Sequence, residues 1–275
     1  MKLRIMSSNI WWCDTNHQEW EARGEDCSAA HRSKGLYRAY RETAPDIIGL
    51  QECSARMTHQ LMTHFAENND PYTLIWGRDT PIVYRRDKFE LVDSRVHIYP
   101  EEVPGLEGSF NNLKTKAYCL AVLRSKESGR YLIFATTHLW YMSDARQPHS
   151  EAAKAWQLER LMDAAEELQA RYGGTIVIVG DLNTWPAGKA VQGALARGYR
   201  HGHDAATEHV DESRGMHRCD GTGYDTFILE GGFAKSLDHI LIKGELTVSR
   251  FERYCPDYFF PLSDHSPVFI DAEIE

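Results

Sequence analysis

Six short polar clusters in this 275-residue chain carry side chains able to hold a cation or move a proton. They are SSN at 7–9, QE at 51–52, TTH at 136–138, GDLN at 180–183, DH at 238–239 and SDH at 263–265. Carboxylate and carboxamide oxygens are hard donors, suited to Mg²⁺ or Mn²⁺, and Mg²⁺ commonly takes only one or two protein carboxylates. Imidazoles beside them can donate to, or take protons from, charged oxygens near neutral pH. Each cluster alone has a plain structural reading. Asn9 or Asp181 after a strand is a turn former, His138 a hydrogen-bonded histidine, and Gln51 with Glu52 the place where a strand meets solvent. Six together, nearly all carrying oxygen or imidazole groups, point instead to one convergent site presented on rigid elements.

The elements that would present them follow from the apolar pattern. Leu3, Ile5 and residues 7–10 predict a first strand, and Ile47, Ile48 and Leu50 a short buried one closing on Gln51 and Glu52. Helices are expected over 29–43, ended by Pro45 through its effect on Ala44, and over 55–68, capped by Ser54. Strands are expected at 82–84, 89–92, 117–123 and 131–137, with a Pro/Gly/Asn-rich loop over 100–115. Residues 151–172 give the clearest helix: Leu158, Leu161, Met162, Ala165 and Leu168 share one face, and Gly173–Gly174 stops it. An unbroken apolar strand over 176–179 runs into GDLNTWP, a short helix follows over 187–196, and the last strands fall at 237–242 and 268–274. Residues 14–26 read as a charged surface loop and 201–234 as a Gly/His/Asp-rich excursion without a regular pattern.

Composition narrows the setting. With 42% hydrophobic and 26% charged residues this is a folded chain, and a formal charge of −9 disfavours coating nucleic acid or an anionic membrane by bulk charge. No window approaches the apolar length of a membrane span, and the start MKLRIMSSNIWW lacks a signal-peptide core. The six cysteines show no CxxC pair and are expected as free thiols in a reducing cytosol. His217 with Cys219 could be half of a zinc site, but a lone HxC reads as a polar loop. The histidines of the excursion (His201, His203, His209, His217) have no metal-binding spacing.

The ordered set SSNIW, DIIGLQE, TTHLWY, GDLNTWP, SLDHILI and PLSDHSPV resembles the endonuclease/exonuclease/phosphatase superfamily, over nearly the whole chain. The resemblance implies two packed mixed β-sheets flanked by helices, a four-layer α/β sandwich, and residues 1–275 as a single catalytic domain. It implies a Mg²⁺- or Mn²⁺-dependent hydrolase of phosphate esters, with Glu52 as principal metal ligand and Asn9 and Asp264 contributing to the metal site. Asp181 matches the aspartate that holds or activates water, and Asn183 and His138 match groups that grip phosphate oxygens. Asp238 would orient His265; whether Asp181 or His265 takes the proton from water stays open, and Asp181 positioning the water with His265 stabilising phosphate is the assignment adopted. The sequence departs from the pattern at Trp11, where abasic-site endonucleases carry an acid, after Asn183, and at His239, where many members have Tyr.

The substrate expectation rests on charge and aromatics. Lys114, Lys116 and Arg146, beside Trp140 and Tyr141, are the nearest basic residues, and Trp140, Arg146 and Lys116 are taken as substrate contacts. A small or soluble sugar- or nucleotide-type phosphoester is expected, with a DNA or RNA nuclease as the alternative and a non-catalytic binding module as the third reading. The protein is expected to be a cytoplasmic monomer without membrane contact, because a lipid-directed role would call for a hydrophobic hairpin or basic patch.

Overall fold

The computed structural model describes residues 1–13, 18–22, 24–210, 214–219, 224–228, 232–259 and 261–274. In chain order the strands are β1 (Lys2–Asn9), β2 (Ile47–Gln51), β3 (Tyr72–Ile75), β4 (Ile82–Arg85), β5 (Phe89–Ile98), β6 (Ala117–Ser125), β7 (Tyr131–His138) and β8 (Thr175–Asp181). There follow β9 (Arg200–His201), β10 (Glu208–Val210), β11 (Arg214–Cys219), β12 (Tyr224–Ile228), β13 (Asp238–Lys243), β14 (Thr247–Arg253) and β15 (Val268–Glu273). The helices are α1 (Gln18–Glu21), α2 (Ala29–Thr43), α3 (Ala55–Glu67), α4 (Ser150–Tyr172), α5 (Lys189–Ala196) and α6 (Gly202–Ala205).

Two mixed sheets face each other, one ordered β10-β14-β15-β1-β2-β4-β3 and the other β5-β6-β7-β8-β13-β9. Alternation decides which face each residue buries. Val177 and Val179 of β8 join Ile5, Ile47, Phe134 and Ile270 between the sheets, while Ile176 and Ile178 turn outward against Leu158, Leu161 and Ala165 of α4. Helices α2 and α3 likewise cover Met6, Ile48 and Leu50 on the other sheet. Strands buried on both faces must be apolar throughout, which is why 176–179 shows no alternation. This is the four-layer sandwich the resemblance implied. The sheets approach closely at Gly49, where an added Cβ would lie 2.3 Å from Val179 Cγ2. Beside it, Gln51 Nε2 donates to Thr136 Oγ1 at 2.8 Å, a polar tie across the sandwich.

Local signals placed the helix ends. Ser28 and Ser54 side chains accept from the amides of His31 and Met57, and Ala44 adopts the left-handed C-cap that lets the chain turn into Pro45. The pattern did not predict β3 or β14. Strand β14 buries only Val248, Phe251 and Arg253, and the register shift at Ser249 and Arg250 breaks the alternation that would have signalled a strand. The excursion over 201–234 also contains short elements, β9 through β12 and α6. The side chains of His217 and Cys219 lie outside the described residues, as does part of the loop expected over 14–26.

Candidate active site

The central strands bring the polar clusters to one end of the sandwich. Strands β1 and β2 are parallel, with Asn9 beside Gln51; β7 and β8 are parallel, with His138 beside Asp181. Strand β13 runs antiparallel to β8 and begins there, so Asp238 sits opposite Asp181. Four strands thus end, and one begins, at the same edge. The turn ahead of β15 completes it: Ser263 donates to the Asn9 carbonyl at 2.7 Å and accepts the His265 amide at 3.1 Å.

Within this edge, ligand atoms of Glu52, His138 and Asp181 all lie within 4.8 Å of one another. Asn9 braces the carboxylates: its Nδ2 donates to Glu52 Oε1 at 3.2 Å and Asp181 Oδ2 at 3.1 Å, and its Oδ1 accepts the Trp11 amide at 3.0 Å. Glu52 Oε2 accepts the Trp12 amide at 2.9 Å. Lys116 Nζ is 2.6 Å from His138 Nε2, and since an ammonium can only donate, that ring nitrogen accepts. His265 Nδ1 donates to Asp238 Oδ2 at 2.9 Å and its Nε2 faces Asp181 Oδ2 at 3.8 Å.

Charge in this edge is unevenly shared. Burial pushes the Asp181 carboxyl up to about 6, with Asp238 adding to the effect against the pull of His265. Burial likewise raises Asp264 to about 7, helped by Glu52 and Asp181. For Glu52 burial also acts upward, but the Lys116 ammonium, the Trp12 amide and the His265 cation outweigh it and hold the group below the usual carboxylate range. Burial and the Lys116 ammonium hold His138 neutral, whereas His265 stays protonated because Asp238 and Asp181 outweigh its desolvation. Lys116 itself is lowered by burial to about 8. Buried Asp181 stands against the partly buried Glu52, and among the described residues the buried Asp238 and Asp264 Oδ1 atoms have no hydrogen-bond partner, a donor set that a divalent cation would neutralise. The residues fit such an ion.

The backbone carries strain here. Trp11 (φ 55°), Glu52 (φ 56°) and Asn183 (φ 50°) are left-handed, a conformation costing about 1–3 kcal/mol per residue outside glycine and persisting where surroundings over-determine it. Those surroundings can be named. Arg32 of α2, fully buried, donates to the carbonyls of Ile10, Trp11 and Leu262 and so ties the end of β1 to the turn before Ser263. Lys154 of α4, 1% exposed, donates to the Asn183 carbonyl and to Glu151 Oε1, both at 2.6 Å, while Glu151 Oε2 accepts from Thr184 Oγ1. The Asn183 amide donates to Asp181 Oδ1 and its Nδ2 to the Leu139 carbonyl. Arg32, Glu151 and Lys154 were not singled out from sequence. On an amphipathic helix a charged residue reads as solvated face, and nothing local says it is buried.

Beside Asn183 opens a cleft of about 600 Å³, lined by Tyr141, Arg146, Lys154, Thr184 and Trp185 among others. Tyr141 and Trp185 are about half exposed, and Lys116 Nζ lies 5.5 Å from the Tyr141 ring centre.

The structure brings together Asn9, Glu52, His138, Asp181, Asn183, Asp238 and His265. Asp264 is not a member of the Glu52–His138–Asp181 cluster. Asn9 presents its N–H groups to the carboxylates and its oxygen to the Trp11 amide. Two expectations change. Trp140 is 3% exposed and packs on Phe110 in a small core, leaving Tyr141 as the exposed ring. Lys116 is buried beneath His138 rather than set on an open basic groove. Arg146 does line the cleft.

A fold of two helix-covered sheets, with acids, amides and imidazoles gathered at the strand ends, defines a class of metal-dependent phosphoesterases. A sequence model of the Endonuclease/Exonuclease/phosphatase family matches residues 6–265, and the chain belongs to that family. Its members are hydrolytic phosphoesterases that depend on a divalent metal, and this chain is an enzyme of that class. No curated protein matches it significantly. Among solved structures it is similar to an endonuclease/exonuclease/phosphatase from Bacteroides vulgatus, at 18% identity and a TM-score of 0.78, covering 100% of both chains. A mannosyl-6-phosphatase from Bacteroides thetaiotaomicron aligns at 18% identity and 0.76, over 99% of this chain and 100% of that one. Danio rerio TDP2 complexed with single-strand DNA product aligns at 17% and 0.68, over 99% of each. At these identities the likeness speaks to the fold alone.

Proposed function

We propose that the protein hydrolyses a small, soluble phosphate monoester of sugar or nucleotide type, by in-line attack of water, using Mg²⁺ or Mn²⁺. The observation that carries this reading is the cleft next to Asn183. Its volume suits one sugar or nucleoside, and Tyr141 and Trp185 offer faces on which such a ring can stack. Arg146, on the same wall, suits a further anionic or hydroxyl group of the substrate. A nuclease needs a run of cationic contacts along several phosphates, and a chain of charge −9 with Lys116 buried offers poor support for one. Buried thiols at Cys27, Cys53 and Cys119 accord with a reducing, cytoplasmic setting. Among the described residues no helix is long and apolar enough to cross a membrane. We take residues 1–275 to act as one domain and as a monomer.

Glu52, with Asp181 and His138 around it, would hold the ion. When bound, the ion supplies positive charge against the phosphoryl oxygens and the leaving oxygen. Asp181 positions the attacking water: its Oδ1 is fixed by the Asn183 amide and its Oδ2 by Asn9. His265, kept cationic by Asp238, stands where it can stabilise phosphate charge or release a proton. Asn183 Nδ2 turns from the Leu139 carbonyl to a phosphate oxygen, a donor aimed at charge that grows in the transition state.

The test uses mono- and bis-p-nitrophenyl phosphate, then plasmid and oligonucleotides, each with Mg²⁺ and with Mn²⁺, and Glu52→Ala as control. Monoester turnover that is lost in Glu52→Ala supports the proposal. Preferential diester or nucleic-acid cleavage would replace it with the nuclease, and no turnover under either metal with the binding module. Asp181→Asn is expected to lose at least about a hundredfold in kcat; near-full activity would remove Asp181 from the water.

A further inference from the structure

His239 and His201 form a buried imidazole pair that the catalytic scheme does not use. His239 Nε2 lies 2.8 Å from the Thr184 carbonyl, His239 Nδ1 lies 2.8 Å from His201 Nε2, and His201 Nδ1 lies 3.3 Å from the His203 amide. Both rings are almost wholly buried, and Phe233 packs edge-on against His201. The two ends fix the protons independently. A carbonyl only accepts, so His239 Nε2 carries hydrogen; a backbone amide only donates, so His201 Nδ1 is bare. With each ring neutral, His239 Nδ1 is then an acceptor and His201 Nε2 a donor, which is what the contact between them requires. The chain of hydrogen bonds has one direction, from the His203 amide and the His201 ring toward the Thr184 carbonyl.

Thr184 follows Asn183, the left-handed residue of the GDLN turn, and His239 follows Asp238, the partner of His265. One ring therefore joins the two arms of the site. From the other side, Lys154 and Glu151 hold the same turn at the Asn183 carbonyl and the Thr184 hydroxyl. We propose that His239, supported by His201, is a positioning residue that fixes the turn bearing Asn183, so that the segment after β9 is mechanically coupled to the catalytic edge. A tyrosine at 239 would have to serve both contacts through one hydroxyl oxygen, where the imidazole uses two nitrogens on opposite sides of the ring.

The proposal is independent of the substrate, and its first test needs no turnover. In long-range ¹H–¹⁵N spectra at pH 7, both rings are expected as neutral Nε2–H tautomers; an Nδ1–H form or a cation at either position overturns the relay. In His239→Phe the Asn183 amide is expected to exchange at least about tenfold faster, with amides of β6 and β7 unchanged, and His239→Gln, which keeps a donor, should restore protection. If His239→Phe does not fold, His201→Phe, which removes the donor to His239 together with the acceptor of the His203 amide, should give the same pattern at smaller size. On the best ester found, kcat should fall in His239→Phe with KM within about twofold, and recover in His239→Gln. Unchanged Asn183 protection in a folded Phe variant, or equal kcat loss in Phe and Gln variants, would overturn it.

Discussion

At the residue scale, the site concentrates acidic groups that a cation would neutralise. Glu52 and Asp181 stand together, their charge reaches Asp264, and burial lifts Asp181 and Asp264 to about 6 and 7. Adding Mg²⁺ should therefore stabilise the fold as well as start turnover, since a ligand bound only by the native state raises its melting temperature. Differential scanning fluorimetry should show a rise with millimolar Mg²⁺ in the wild type and none in Glu52→Gln; an equal rise in both would place the ion elsewhere. His239 makes the opposite kind of pH argument. Burial pushes its imidazole down to about 4, against a pull from the Thr184 carbonyl. Between about 4 and the unfolded value near 6.5 the unfolded chain binds a proton that the folded chain refuses. Its contribution is thus complete above about pH 6.5 and lost as pH falls through about 4. Urea unfolding of wild type against His239→Gln should show the difference shrinking by about 2 kcal/mol between pH 7.5 and 5. Much of this scale was legible in the sequence. Glu52, His138, Asp181, Asp238 and His265 stand out because acids and imidazoles at or beside strand ends break an apolar pattern. Arg32, Lys154 and His201 do not, since burial in a distant part of the fold is what gives them a role.

At the element scale, the parallel pairing of β1 with β2 and of β7 with β8 does the assembly, and the register sets which side chains meet. Helices capped by serine and ended by Gly173 or Pro45 were readable because capping is a local matter, as was the doubly buried β8. Strands β3 and β14, half exposed, were not, and neither was the pairing of 201 with 241 in β13, which depends on contacts made forty residues apart. The sheets leave no room at Gly49, where the nearest atoms belong to Val179 and Thr136. Gly49→Ala should cost about 1–3 kcal/mol by forcing the sheets apart, and because Gln51 and Glu52 follow directly, it should lower Mg²⁺ affinity too. Chemical denaturation and metal titration of the same variant check both; a Gly49→Ala protein as stable as wild type would mean that Val179 rotates away freely.

At the scale of the whole molecule, a charge of −9 surrounds a site meant for an anion. A small substrate meets that field once, at the ion, so kcat/KM should change by less than about threefold between 50 and 200 mM salt, whereas a polyanion gripped at many phosphates would lose orders of magnitude. Steady-state kinetics at the two salt concentrations decides it, and a steep decline would favour the nuclease. The cleft is walled by the segments after β7 and β8, while the acids and imidazoles stand on the strand ends themselves or in the turn before β15. The cleft and the strand-end groups meet at Asn183, and the rest of each is carried largely on different stretches of polypeptide. If the proposed cleft selects the substrate, exchanging residues 140–149 and 185–188 between relatives should change which ester is cleaved while leaving the strand-end acids and imidazoles in place.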